Sequence, residues 1–231
     1  MCVRFSMTFE IEPLMDFFEI RTLEFGVPYR PRYNVAPTDP VLTYGADGPG
    51  TGDMMRWGFI PSWRKPDQTL PSAFNARGET LAANGMFRES FERRRCLVLA
   101  DGYYEWVDEG TVKRPYRIGL RSWEPFGFAA LWDEWHGPDG PVRSCTIVTT
   151  VPNELTRPIH DRMPVVLPPD AHARWLDPAN TTGEGLADLL VPLGSDAMAL
   201  YQVSTKVNSV RNDTPNLIDE VQSERQGSLG L

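Results

Sequence analysis

Cys96-Leu97-Val98-Leu99-Ala100-Asp101-Gly102-Tyr103-Tyr104-Glu105-Trp106 reads as a strand pair or one bent strand: an apolar run, a turn-forming Asp-Gly, then an aromatic run. Downstream, strand patterns at 114–120, 126–135 and 142–150 are separated by the turn signals Asp108-Glu109-Gly110 and Gly137-Pro138-Asp139-Gly140. Upstream, strands near 41–44 and 53–59 flank the Gly45–Gly52 turn as a hairpin, residues 2–7 form a short strand, and Ala73–Arg77 forms another. Successive strands joined by short turns point to a mostly antiparallel, barrel-like sheet. Helical spacing is confined to Glu10–Ile20, Gly78 to about Arg94 with a break at Asn84-Gly85, Pro152–Arg157, Asp170–Leu176 and Gly185–Leu190. A strand over Met163–Leu167 and a last one near 197–204 complete the set, and from Glu220 the chain turns polar and is expected to fray. The expected fold is a single α+β domain with a barrel-like β-core and peripheral helices.

A chain of 231 residues is long enough for a substantial core. The start lacks a basic, then apolar, leader, because Glu10, Glu12 and Asp16 interrupt it, and no apolar run approaches the ~20 residues of a membrane span. A cytoplasmic protein with no membrane partner is expected. Net charge is −8, which argues against bulk electrostatic attraction to nucleic acid. Of 23 basic residues, however, only Lys65, Lys113 and Lys206 are lysines and the rest are arginines, so an Arg-lined groove on an acidic protein stays open. Cys2, Cys96 and Cys145 form no C-x-x-C, and the last two lie in apolar strand-like runs, as small buried hydrophobes do. His136 and His172 lack ligand-spaced partners, so neither a zinc site nor any other metal or cofactor is expected.

Met1-Cys2-Val3-Arg4-Phe5 carries the distinctive chemistry. If Met1 is removed, Cys2 presents an α-amine and a thiol on adjacent carbons. The amine condenses with an aldehyde to an imine, and the thiol closes on it as a five-membered thiazolidine. The other reading of Cys2 is an ordinary small strand residue. Glu105, between Tyr104 and Trp106, is either an outward residue on an alternating strand or a buried carboxyl of raised pKa suited to general acid catalysis; the pattern leaves both open. His160, in a proline-flanked loop, is a candidate acid/base or a structural residue. The Asn75 amide would hold an N-terminal amine or a sugar oxygen, or simply satisfy a strand end. Arg4, Arg77 and Arg162 are candidate phosphate contacts, and Trp63 on a Pro-Ser-Trp loop is a candidate base-stacking residue.

Taken together, Met-Cys-x-Arg-Phe, Arg-Tyr-Asn-Val-Ala-Pro, Arg-Trp-Gly-Phe-Ile-Pro-Ser-Trp, Asn-Ala-Arg-Gly-Glu-Thr, Arg-Cys-Leu-Val-Leu-Ala-Asp-Gly-Tyr-Tyr-Glu-Trp, Ile-His-Asp-Arg-Met-Pro and Val207–Asp213 resemble, in order and spacing, the SRAP family of SOS response-associated peptidases, or abasic-site processing proteins. The resemblance spans about residues 2–218, leaving 219–231 as a polar tail. It implies single-stranded DNA carrying abasic sites as partner, capture of the ring-opened sugar by Cys2, self-removal of Met1 and an abasic-site lyase side reaction. It also implies Glu105 as acid/base, Asn75 as the group that positions the Cys2 amine, and His160 as an aid to ring opening and reversal. Arg4, Arg77 and Arg162 would contact phosphates, with Trp63 near the displaced base. Replication-fork proteins are possible partners, and a monomer suffices for one lesion. Two positions depart from the family: Val3 stands where Gly is usual, and Arg64 where some members carry a second Trp. Two other functions stay open on the residues alone: an N-terminal-nucleophile amidohydrolase, and a non-enzymatic single-strand-binding module.

Overall fold

The computed structural model describes residues 3–24, 27–69, 73–110 and 112–221. In chain order the strands are β1 (Phe5–Met7), β2 (Thr22–Glu24), β3 (Arg32–Val35), β4 (Pro40–Tyr44), β5 (Thr51–Trp57), β6 (Asn75–Arg77) and β7 (Arg95–Ala100). They continue as β8 (Gly102–Asp108), β9 (Lys113–Leu120), β10 (Phe126–Gly137), β11 (Gly140–Thr150), β12 (Met163–Pro164), β13 (Val166–Leu167) and β14 (Met198–Gln202). The α-helices are α1 (Ile11–Phe18), α2 (Arg88–Arg93) and α3 (Pro169–Trp175).

The run Cys96–Trp106 is two consecutive strands that do not pair with each other: the chain bends at Asp101 and passes from one sheet into the other. β7 lies in the larger sheet and β8 in a five-stranded antiparallel sheet of order β14-β9-β8-β1-β3. In the larger sheet β11, β10, β7, β4 and β5 are successive antiparallel neighbours, and β5 then pairs with β11 in parallel, Arg56 beside Ser144 and Trp57 beside Cys145. That last pairing closes a ring of five strands. β12 and β13 extend it by pairing with β11 and β10, while β6 and β2 add in parallel to β11 and β5.

Closure explains the continuous apolar run of β7, which is buried on both faces. Cys96, Val98 and Ala100 point with Trp57, Phe128 and Ile147 into the cluster shared by the two sheets. Leu97 and Leu99 point the other way, toward Leu14 and Phe18 of α1 and Trp175 of α3. Strand alternation with both faces apolar thus produces a three-layered arrangement of helices, closed sheet and second sheet. β1 is anchored here by Phe5, whose ring lies 5.2 Å from Trp57 and 5.9 Å from Phe128. Truncating so buried an aromatic costs ~3–5 kcal/mol, so β1 is held firmly. A second anchor is Asp101, 1% exposed, which accepts from Ser6 Oγ (2.6 Å), the Thr8 amide (2.7 Å) and Arg117 Nη2 (2.9 Å).

Several expected elements differ. Residues 152–157 form turns rather than a helix: the Asn153 side chain accepts from the Thr156 amide and hydroxyl, and Pro158 has no N–H to continue the ladder. The helix expected over 185–190 shrinks to a 3₁₀ turn at Ala187–Leu189. Met163–Leu167 splits at Val165, whose amide bonds Val148 while its carbonyl accepts from Ala129. His136 lies at the end of β10, paired with Glu134 at 3.0 Å. The chain does not fray at 220: Glu220 bridges Val203 and the Val221 amide bonds the Gln202 carbonyl at 2.9 Å, and the rest of the expected tail lies outside the described residues. Among the described residues no helix is long and apolar enough to cross a membrane.

Candidate active site

The β1–β8 register decides what the first described residues face. Phe5 pairs with Tyr103, and the Tyr104 amide donates to the Arg4 carbonyl at 2.9 Å. Antiparallel pairing then carries residue 3 alongside Glu105. Val3, Arg4, Glu105, Trp106, Lys113, His160 and Asn208 line one open cleft of about 410 Å³. Cys2 itself lies outside the described residues. Three of the expected site residues, Arg4, Glu105 and His160, therefore meet in one place, joined by the neighbour of Cys2.

Glu105 is 4% exposed, which settles the choice the pattern left open. Alternation along β8 puts it on the face of Tyr103, toward the shared core, while Tyr104 and Trp106 pack outward with Val207 and Leu217. Burial raises its carboxyl from the ordinary 4.5 to about 7, and the nearby Asp161 charge acts in the same direction. At neutral pH such a group exists in both forms, as an acid/base must. His160 sits in the turn after 152–157, with its amide bonded to the Thr156 carbonyl. Burial holds its imidazole below the ordinary range, partly countered by Asp161, whose Oδ1 is 2.8 Å from Nδ1. The Arg162 amide lies at 3.0 Å from the same Nδ1, so this nitrogen is fixed between a backbone donor and a carboxylate while Nε2 takes part in neither contact. Arg4 donates from Nη1 to Asn34 Oδ1 (2.9 Å) and the Val207 carbonyl (3.0 Å), and its guanidinium lies 6.0 Å from the Trp106 ring centre. Burial lowers its pKa.

The remaining expected residues are placed outside the cleft lining. Asn75 and Arg77 bracket β6, which runs parallel to β11 with Asn75 beside Ile147 and Arg77 beside Thr149. Arg77 is exposed and in no ion pair among the described residues. Arg162 is engaged already: Nη1 and Nη2 make a two-point bond to Glu79 (2.6 and 2.9 Å), and Nη2 also bonds the Thr149 carbonyl at 2.7 Å. The two-point bond holds the Glu79 carboxyl below its ordinary range. Trp63 is 50% exposed on a loop pinned at each side. Ile60 donates to Ser144 Oγ (2.8 Å), Ser62 donates to Asp133 Oδ2 (2.7 Å), and the Arg64 carbonyl accepts from Trp135 Nε1 (2.7 Å). Arg64, at the departure from the family pattern, lays its guanidinium over Trp135 at 4.9 Å.

Sequence reasoning missed the wall of the cleft. Asn34, buried in β3, donates from Nδ2 to the carbonyls of Val207, Ser209 and Asn212, and Asp213 accepts from the Tyr33 and Asn34 amides. These bonds clasp the 205–213 segment against the second sheet, where Asn208 Oδ1 accepts from Trp106 Nε1 at 2.7 Å. The available signal was the presence of two Asn-containing motifs, Arg-Tyr-Asn and Val-Asn-Ser-Val-Arg-Asn-Asp, far apart in sequence. Cys96 and Cys145 are fully buried, and burial pushes both thiols up, so neither is a competing thiolate. Among the described residues no group of three or more His, Cys, Asp or Glu is placed to hold a metal ion.

Comparison with known proteins places this arrangement. The chain is 43% identical over 223 residues to the abasic site processing protein YoqW of Bacillus subtilis, covering 95% of this chain and 99% of that one. It is 34% identical over 224 residues to the abasic site processing protein HMCES of Gallus gallus, covering 82% of this chain and 66% of that one. A crystal structure of a Bacteroides thetaiotaomicron protein superposes with a TM-score of 0.82 at 23% identity over 95% of this chain and all of the other, which shows the shared fold. Residues 1–210 match the family described as SOS response associated peptidase (SRAP), and with relatives this similar over nearly its whole length the chain belongs to that family.

Proposed function

We propose that this protein processes abasic sites in DNA, capturing the lesion in single-stranded DNA through Cys2. The observation that carries this reading is the β1–β8 register, which leads the start of the chain to the buried carboxyl of Glu105. Hydrolysis of the Met1–Cys2 peptide bond frees the Cys2 amine. The amine attacks the aldehyde carbon of the opened sugar, water leaves, and an imine forms. The thiol then adds across the carbon–nitrogen double bond, its proton passing to nitrogen, and the thiazolidine closes with no co-reactant. Glu105 in its protonated form assists sugar opening and loss of water, and its carboxylate takes protons back. His160, on the same cleft, assists opening and reversal. Because amine and thiol share one residue, ring closure is intramolecular and favoured by high effective concentration.

Arg4, Arg77 and Arg162 contact the strand's phosphates and Trp63 stacks on a base. Asn75 positions the amine. An imine that escapes closure is open to β-elimination, which gives the lyase side reaction. A monomer suffices for one lesion.

The test is a denaturing gel of the protein, with Met1 loss verified by intact mass, mixed with a single-stranded oligonucleotide bearing one abasic site. A heat-stable slow band is expected. It should vanish with Cys2→Ala and with an oligonucleotide whose aldehyde has been reduced. No band from the processed protein would overturn the reading and direct attention to turnover of small amides.

A further inference from the structure

Lys113 is the one lysine in the lining of the cleft, in a chain where arginine supplies nearly all positive charge. It opens β9 and projects among Glu105, Trp106, His160 and Asn208. It is exposed, and among the described residues it forms no ion pair. The nearest cross-strand acid is Asp108, its partner in the β8–β9 register, but Asp108 Oδ1 accepts from the Gly110 amide at 3.0 Å and so serves its own turn. Glu109, the next acid of that turn, is held by Arg114. Two other cations close to the site already share their charge with carboxylates, Arg162 with Glu79 and Arg32 with Asp39 and Asp213, so a phosphate meets them partly compensated.

We propose that Lys113 binds the phosphodiester next to the captured sugar. The claim rests on the abasic-site reading above and adds a contact to it. On a protein of net charge −8, a polyanion needs local uncompensated cations to approach, and Lys113 supplies one at the mouth of the cleft. Its surroundings suit a phosphate with a neighbouring base. The Trp106 ring forms a wall fixed by the bond from Nε1 to Asn208, and the Asn208 amide nitrogen is held toward the Lys113 carbonyl at 3.4 Å. The ammonium on its flexible stem follows a phosphate as the sugar opens and shifts, whereas a guanidinium meets its phosphate in one fixed planar geometry.

The experiment measures cross-linking rate against concentration of an abasic single-stranded oligonucleotide for the wild type, Lys113→Ala and Lys113→Arg, at two salt concentrations. For Lys113→Ala the half-saturating concentration should rise several-fold at low salt, with the saturated rate within about twofold of wild type. The slope of log affinity against log salt should shrink by about 0.7–1, the value of one phosphate contact. Lys113→Arg should keep most of the affinity. A neutral methylphosphonate linkage beside the lesion should weaken the wild type by a similar factor and Lys113→Ala hardly further, because the two changes remove the same contact. If neither adjacent methylphosphonate position shows this non-additivity, or if half-saturation and salt slope are unchanged, the assignment fails. A changed saturated rate with unchanged half-saturation also overturns it. Failure of the wild type itself to cross-link would count against the abasic-site reading instead.

Discussion

The backbone amide of Tyr104 donates to the carbonyl of Arg4 at 2.9 Å, one residue before Glu105 and two residues after Cys2. This ladder bond ties Arg4 to the strand that carries the site's buried carboxyl. Phe5, packed between Trp57 and Phe128, and Ser6, bonded to Asp101, keep that ladder in register. A one-residue slip would turn Phe5 out of the core, so packing selects against it. Placement of Val3 and Arg4 beside the cleft is accordingly part of the folding free energy rather than a cost met on binding.

Glu105 should reveal itself in the pH dependence of stability. Its folded pKa of about 7 lies above the ordinary 4.5. An acid raised by burial favours the folded state fully below the lower value, and that contribution is lost as pH rises through 4.5 to 7. Glu105→Gln has no charge to bury. The stability difference, variant minus wild type, should therefore grow between pH 4.5 and 7 by up to about 3 kcal/mol, then level off. Urea unfolding at several pH values measures this; a difference constant across pH would place the carboxyl at its ordinary value. The same variant should slow capture by ~10²-fold or more and lose the falling limb of the rate above about pH 7.

Asn34→Ala should loosen the cleft wall. Its amide serves three backbone carbonyls of the 207–212 segment and receives Arg4. Orphaning those acceptors costs ~1–3 kcal/mol. Thermal unfolding should shift down, and limited proteolysis should find a new cut near 205–213. Asn34→Asp should be worse than Ala, since a carboxylate would face the carbonyls that the amide now satisfies. Equal proteolytic resistance in all three proteins would mean the clasp is not what holds the segment.

The β-strand framework was legible because strand periodicity and turn residues are local. The closure was not, because the parallel β5–β11 pairing joins residues some ninety positions apart and leaves no local pattern. Glu105 shows the boundary within the site. Its neighbours announced an aromatic strand, but whether it faces inward depends on Tyr103 reaching the shared core, which only the assembled sheets decide. Asp101 reads as a turn residue before Gly102, and the chain does bend there between sheets, yet its carboxylate also bonds Ser6, Thr8 and Arg117 from distant parts of the chain. The two-point bond from Arg162 to Glu79 joins residues far apart in the chain and likewise leaves no local pattern. Short helices were over-read at 152–157 for a local reason, the Asn153 side chain competing for the amide that a helix would use.

Asp101→Asn should be among the more destabilising polar substitutions in the chain. The pair with Arg117 is buried on both sides, and Arg117 also lies over Trp123 at 4.6 Å. Asparagine keeps the shape but leaves the guanidinium buried without its counter-charge, a loss of ~3–5 kcal/mol. Because solvent ions reach a buried pair poorly, the loss should hardly change between low and high salt. A loss that disappears in high salt would mark the pair as solvent-accessible. Asp101 holds Ser6 of β1, which leads into the cleft at Val3 and Arg4, so the proposed capture by the surviving folded fraction should slow as well.

Trp63 and Ser144 separate binding from folding. Trp63 is half-exposed, so Trp63→Ala should change stability by no more than ~0.5 kcal/mol. Loss of a stacking surface should still weaken single-strand binding by ~1–3 kcal/mol. Ser144→Ala does the converse at one remove. Its hydroxyl accepts the Ile60 amide at 2.8 Å and so holds the loop that carries Trp63. Removing it should cost about 1 kcal/mol of stability and part of the affinity, because the loop must then be ordered at the moment of binding. Fluorescence anisotropy with an uncleaved, base-containing strand measures affinity without the covalent step. In the double variant, the Ser144 effect on affinity should nearly vanish, since there is no longer an indole to position. Full additivity of the two losses would show that Ser144 acts on binding through something other than Trp63.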